Sequence, residues 1–159
     1  MITLKLETGE SVELPFESFV GADFKGKSLH RALFERVDAT EADFSGANLR
    51  NASFGHAILN GVKMTRAALM NATFDNSEME GADLSGSLAA GASFIKANLS
   101  MSNLQGVDVG GACFNGADLR GANFDVERVT DVGFSNALYD ERTIWPSGFD
   151  PKSHGAIEF

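Results

Sequence analysis

The residues of this chain with the plainest chemical capacity are its aspartates, three histidines and one cysteine, and their spacing argues against a reaction site. Asp23, Asp43, Asp83, Asp108 and Asp118 could supply paired carboxylates for acid/base work. All five stand at intervals that are multiples of five, in a residue class shared with Asn48 and Asn98. Asp and Asn alternate where a turn wants a short side chain that can bond its own backbone, so the pattern reads as structural. His30, His56 and His154 are scattered, with no cysteine or carboxylate at metal-ligand spacing. Cys113 is alone, which excludes an intramolecular disulfide and leaves a small surface or corner residue rather than a nucleophile. Neither a G-x-x-x-x-G-K-[ST] loop nor a G-x-S-x-G elbow is present; Gly106, Gly111, Gly116 and Gly121 stand five apart because they turn corners. No catalytic residue, cofactor site or metal site is assigned, and the chain is expected not to be an enzyme.

What positions these residues is a five-residue register. From Phe19 to Tyr139 every fifth residue (position i) is apolar, through twenty-five sites. Position i−2 is small: fifteen Ala, four Val and three Ser, with Glu17, Lys27 and Glu127 the exceptions. A helix turns about 100° per residue, so a five-residue step would smear this stripe around the cylinder. In a straight strand, i and i−2 share a face but the next i falls on the opposite one. The chain must therefore turn between pentads. Glycine fills i+2 in eleven pentads, where a turn with positive φ needs it. Short extended pieces joined by corners make a square coil.

A second period counts the sides. Phe34, Phe54, Phe74, Phe94, Phe114 and Phe134 recur every twenty residues, whereas the class Leu29, Leu49, Leu69, Ala89, Val109 and Val129 contains no phenylalanine. Four pentads per turn produce this segregation, with like residues stacked about 4.8 Å apart as neighbouring strands are. The Phe class is called face four here and the Leu29 class face three. Face one runs from Phe19 to Tyr139, and face two from Phe24 to Phe124. About six coils at this spacing give a rod about 30 Å long.

Ala47-Asn48-Leu49-Arg50-Asn51, Ala82-Asp83-Leu84-Ser85-Gly86, Ala97-Asn98-Leu99 and Ala117-Asp118-Leu119-Arg120-Gly121 resemble the A(D/N)LXX unit of pentapeptide-repeat proteins. The resemblance spans residues 19 to 139. It implies an all-β fold, a right-handed quadrilateral parallel β-helix; the periods alone give only the square coil.

A repeat rod has two open ends that need covering. Residues 1–18, in which Ile2, Leu4, Leu6, Val12 and Leu14 alternate with polar residues, read as an N-terminal cap of short strands or a hairpin. Residues 19–139 are the coil, and residues 140–159 a C-terminal cap and tail. In that cap Ile144, Trp145 and Phe149 are expected to plug the last coil, with residues 152 to 159 loose. This segment also resembles the Thr-x-x-Pro-x-Gly-Phe-Asp-Pro tail of bacterial, notably cyanobacterial, members of the family. No apolar run is long enough for a membrane span or a secretory h-region, so a cytoplasmic location is expected. A monomer is favoured over a dimer through the C-terminal aromatics, because coil stacking exhausts backbone pairing.

Function should then lie on the outer walls. Net charge is −9, unevenly placed: residues 25 to 66 carry seven Lys or Arg against four acids, residues 67 to 159 five against thirteen. Lys25, Lys27, His30, Arg31, Arg36 and Arg50 form a candidate basic patch for an acidic partner. On face three Ala68, Met70, Leu88, Ala90 and Gly110 form a candidate apolar partner surface. The favoured reading is a protein–protein interaction or regulatory scaffold module, with no membrane partner and no direct nucleic-acid binding. The alternative, implied by the resemblance, is a DNA mimic that binds DNA gyrase in quinolone or toxin resistance. B-DNA carries about one charge per 1.7 Å, or about eighteen over 30 Å, twice the charge of this whole chain. The uninterrupted coil and the basic early pentads also count against the mimic.

Overall fold

The computed structural model describes residues 1–159 and has the coil as its body. The i−1 residues form parallel bridges twenty residues apart on each side: Asp23 to Asp43 to Lys63 on face two, Ser28 to Asn48 to Ala68 on face three, Leu33 to Ser53 to Thr73 on face four, Asp38 to Ile58 to Glu78 on face one. Between them the chain turns at i+2, which takes positive φ at every pentad from Gly21 to Gly121, in ten cases with a side chain, as at Arg31 (59°) and Met101 (58°).

The hydrogen bonds explain the repeat residue by residue. In one pentad, Phe24 N–H donates to Asp43 C=O (2.7 Å), Gly26 N–H to Ser45 C=O (3.0 Å), Lys27 N–H closes the corner on Phe24 C=O (3.1 Å), and the next i−1 pairs downward, as Asn48 N–H does with Lys27 C=O (2.9 Å). That leaves only the i+1 N–H. Where i−1 is Asp or Asn its side chain meets this donor, as Asp23 Oδ1 does Lys25 N–H (3.0 Å), and in a few pentads an i+1 side chain one coil below does so, as Asn60 Oδ1 does Glu80 N–H (2.9 Å). Where i−1 is apolar, as before Met70 and Ala90, the i+1 N–H has no protein partner. A near-complete account of backbone donors is what a folded chain requires. Asp and Asn recur because they complete it.

Inside, the Phe class forms one column. Phe34, Phe54, Phe74, Phe94 and Phe114 stack at ring separations of 4.7, 5.0, 4.9 and 4.7 Å, within 6° of parallel. Phe24 and Phe44 stack on the opposite wall at 4.4 Å and meet this column edge-on, as Phe44 does Phe34 (5.4 Å, 89°). Both geometries suit aromatic quadrupoles. The small i−2 residues line the remaining space. Ser77 and Ser102 fit there by donating to the carbonyls of Phe74 (2.6 Å) and Leu99 (2.5 Å), whereas buried Ser87 Oγ has no partner. Ser87→Ala is therefore expected to add about 1 kcal/mol of stability, the cost of a stranded hydroxyl. A urea midpoint moved upward checks this; a lowered midpoint would mean that the hydroxyl bonds after all.

The coil departs from the expected register twice. Asp108 bridges Glu127, nineteen residues on, rather than residue 128. Val126 is buried in the i−2 place, Arg128 turns the chain at φ 54°, and a 3-10 turn over Val129–Asp131 restores the register. Val129 is thus only partly buried against the core and not a member of the face-three column. The cause is Glu127: a carboxylate in the i−2 cavity would be stranded without water, so the chain slips one residue and seats valine instead. The second departure is Asn123 with Ile144, twenty-one residues apart. Here Asp140 N–H and Thr143 Oγ1 close a wider corner (3.1 Å), and the Thr143 hydroxyl donates to Leu119 C=O (2.9 Å).

At the first coil, β1 (Ile2–Lys5) and β2 (Ser11–Leu14) pair antiparallel as a hairpin with Leu4 and Leu14 buried. Leu6 continues the strand and bridges Ala32 antiparallel, so the hairpin stands where a coil below face four would be. At the far end Trp145 packs on Phe124 (5.2 Å) and Phe134 (5.6 Å), and Phe149 on Phe134 (5.4 Å). Ile144 differs from expectation: its backbone extends the ladder on Asn123, which turns its side chain outward, 54% exposed. The last residues are also ordered, not loose. β3 (Leu138–Tyr139) pairs parallel with β4 (Ile157–Glu158), and Ala156 is buried. Face one simply gains another strand.

Candidate functional site

With the i and i−2 side chains committed to the core, apart from exposed Lys27 in the first coil, chemistry is left to i−1, i+1 and the corners. The walls do not assemble a reaction centre. Asp23, Asp43, Asp83, Asp108 and Asp118 each accept from the backbone N–H two residues on, at 3.0 to 3.1 Å. Their carboxylates are spent in turns. His30 stands on face three, His56 at the corner after face four, and His154 packs on Phe149 (4.6 Å) at the far end. Cys113 is half-buried on face four.

One shallow hollow was not foreseen. It lies over Gly55, between Glu35 and Asp75 on face four and Arg36 and His56 at the corner. Gly55 at i+1 of a pentad whose neighbours carry acids was the available signal. Both carboxylates are already engaged, Glu35 by Ser53 Oγ (2.7 Å) and Asp75 by Ser93 Oγ (2.5 Å) and Ile95 N–H (3.0 Å). No apolar side chain lines it, so it lacks the apolar walls that hold an organic ligand.

The six expected basic-patch residues do not lie together. Lys25 is on face two, paired with Asp43 (3.3 Å). Arg36 is at the corner after face four. Lys27, His30, Arg31 and Arg50 share face three and its following corner, with Arg31 N–H bonded to Arg50 C=O (2.9 Å). Of the apolar surface, Ala68 and Leu88 bridge each other, Leu88 is 49% exposed, and Met70 and Ala90 are half-buried beside them. Gly110 does not extend this patch. The Arg128 guanidinium lies over it, near enough that a Cβ there would be 2.5 Å from Cζ.

Arg128 is held by Asp108 through both carboxylate oxygens (2.7 and 2.8 Å), and this bond keeps the Asp108 pKa below the ordinary carboxylate value. The twenty-residue spacing of Asp108 and Arg128 was its sequence signature. Asp140 is lowered further, to about 2, chiefly by the Arg142 side chain, with the N–H groups of Gly121 and Arg142 assisting. Arg120 with Asp118 (2.6 Å) and Lys152 with Glu158 (2.5 Å) complete a set of ion pairs in the late coils. The early coils have only Lys25 with Asp43.

No helix is long and apolar enough to cross a membrane. The family model described as pentapeptide repeats matches in eight copies over residues 18–55, 47–86, 69–111 and 102–125. Among solved structures, trypsin-treated QnrB1, a plasmid-mediated fluoroquinolone resistance protein, is similar at 19% identity over 89% of this chain and 84% of that one, with a TM-score of 0.47. HetL, a pentapeptide repeat protein involved in heterocyst differentiation regulation from the cyanobacterium Nostoc sp. strain PCC 7120, is 18% identical over 87% of this chain and 81% of that one (TM-score 0.32). A pentapeptide repeat protein from the Arabidopsis thaliana thylakoid lumen is 30% identical over 67% of this chain and 64% of that one (TM-score 0.25). A search of curated proteins gives no match.

Proposed function

The chain belongs to the pentapeptide-repeat family, and from that premise we propose that it is a non-enzymatic interaction module, a regulatory or scaffolding rod that holds one protein partner against an outer wall. In this reading the coil is right-handed with about six turns, residues 1–18 and 140–159 cap its ends, and it works as a monomer in the cytoplasm. The observation that carries it is the division of labour in each pentad. The core takes two side chains and the turns take the aspartates, so the free side chains form flat, rigid walls with no enclosed site. A rigid wall keeps its side chains in place and loses little entropy when it is covered.

A tagged rod used for capture from its native host is expected to retain a protein that untagged rod displaces. Recovery of no protein above a denatured-rod control would overturn the reading. The DNA mimic is the second reading, favoured by the acidic late coils, but four of their thirteen acids, Asp108, Asp118, Asp140 and Glu158, are paired with Arg or Lys, and the net charge of the whole chain is about half that of B-DNA of its length. Supercoiling by DNA gyrase, with and without quinolone, is therefore expected to be unchanged by micromolar protein; inhibition or protection would reverse the order of the two readings.

A further inference from the structure

We propose that face three is a docking wall for an acidic amphipathic helix of a protein partner, with carboxylates at one end and an apolar stripe at the other. This rests on the reading of the rod as a protein-binding module and names the chemistry of what it binds. The coil puts two features that are far apart in sequence onto one wall. Lys27, His30 and Arg31 stand at its foot, Arg50 one coil up, then Met70 beside Ala68, then Leu88 beside Ala90, each step set by the bridges Ser28 to Asn48 to Ala68 to Leu88. Arg128, clamped on Asp108 over Gly110, ends the apolar stretch above.

Charge says what should come to the foot. Of the thirteen Lys and Arg, five are ion-paired: Lys25, Arg120, Arg128, Arg142 and Lys152. The eight without an ion pair are Lys5, Lys27, Arg31, Arg36, Arg50, Lys63, Arg66 and Lys96, and all but Lys96 lie within the first 66 residues. Three of them are on face three or its following corner, and Arg66 borders it at the corner before Ala68, its stem passing 3.4 Å from where a Cβ of Gly86 would be. Unpaired cations beside exposed Leu88 and half-buried Met70 complement a segment that is both acidic and apolar.

Geometry says what form it takes. The ladder N–H and C=O groups of this wall are used between coils, as Leu69 N–H to Leu88 C=O (2.7 Å) and Ala68 N–H to Ala47 C=O (2.9 Å), which leaves isolated outward N–H groups such as that of Met70 and no continuous edge on which an added strand could pair. The coil of His30 and that of Leu88 are three steps apart, about 14 Å. A helix of about ten residues covers that length, with anchors at i, i+3 or i+4, and i+7.

The test is fluorescence anisotropy with a labelled helical peptide of about fourteen residues that carries four Glu in one half and Leu at helical spacing in the other. Wild type is expected to bind it, and to bind a version with Ser for Leu about tenfold more weakly. Lys27→Glu with Arg50→Glu, and separately Met70→Glu with Leu88→Glu, are each expected to weaken binding about tenfold or more, with unchanged thermal melts. Lys63→Glu with Lys96→Glu removes the same charge from other parts of the rod and should leave affinity within about twofold. No binding by wild type would overturn the proposal, as would an equal loss in the Lys63 and Lys96 variant. So would preferential binding to anionic lipid vesicles, or a dimer in sedimentation that Met70→Glu with Leu88→Glu dissolves. A host protein that still binds both face-three variants would sink this wall and leave the broader reading standing, whereas capture of no protein would sink the broader reading itself.

Discussion

Phe74→Ala is expected to remove about 3–5 kcal/mol of stability, at the upper end for a core phenylalanine, because its site cannot collapse. The ring is fully buried between Phe54 and Phe94, 5.0 and 4.9 Å away. Elsewhere a truncated ring is partly compensated when backbone moves inward. Here the wall is hydrogen-bonded to the coil above through Phe74 N–H to Ser93 C=O (2.7 Å) and to the coil below through Thr73 N–H to Ala52 C=O (3.0 Å). Closing the gap would break ladders on both sides, so the void should persist. Urea denaturation followed by far-UV circular dichroism measures the loss, and a curve that overlays wild type would show that the column contributes nothing at this coil.

A failure of at least comparable size is expected from Ala97→Glu. Ala97 occupies the buried i−2 place in the middle of the rod, where a carboxylate meets apolar walls, carbonyls and, one coil below, a Ser77 hydroxyl already committed to Phe74 C=O (2.6 Å). Leaving an uncompensated charge there costs at least about 3 kcal/mol. The chain has met this problem once, at Glu127, and escaped by slipping one residue to bury Val126. That escape depends on the 3-10 turn at Val129–Asp131, close to the end of the coil. Ala97 has no such freedom, since Ala97 N–H to Phe94 C=O (3.1 Å) closes its corner while Asp118 N–H to Ala97 C=O (2.9 Å) ties it to the next coil. Ala68→Glu is the matched control: the same replacement on an outward alanine should change stability by no more than about 0.5 kcal/mol. Equal melting of the two variants would remove the distinction between i−2 and i−1.

Most of the fold was legible because one rule governs the middle of the chain. The period of five fixes what faces inward, the period of twenty fixes what stacks, and glycine at i+2 marks the corners; no long-range information is needed beyond these. The errors fall where the rule is suspended. Glu127 was visible as an exception at i−2, but its remedy, moving Val126 inward and leaving Val129 only partly buried, is a competition between backbone register and desolvation that a list of positions does not contain. Ile144 and residues 152 to 159 depart from expectation for a related reason. Beyond Tyr139 the pattern no longer says whether an apolar residue plugs the core or extends a strand, and β4 forms because β3 still offers an unpaired edge. On the walls, the face of each residue was legible, but the reach of long side chains was not. Arg128 over Gly110 and Lys25 on Asp43 are contacts between coils, made by flexible stems whose direction the repeat does not set.

The near-complete use of backbone donors has a consequence for how such a surface changes over time. A wall whose ladder amides are already taken is recognised chiefly by what its side chains spell, and each outward letter can be rewritten singly without disturbing the spine. Lineages carrying this scaffold should therefore exchange binding partners through a few point substitutions, while the inward letters stay under strict constraint.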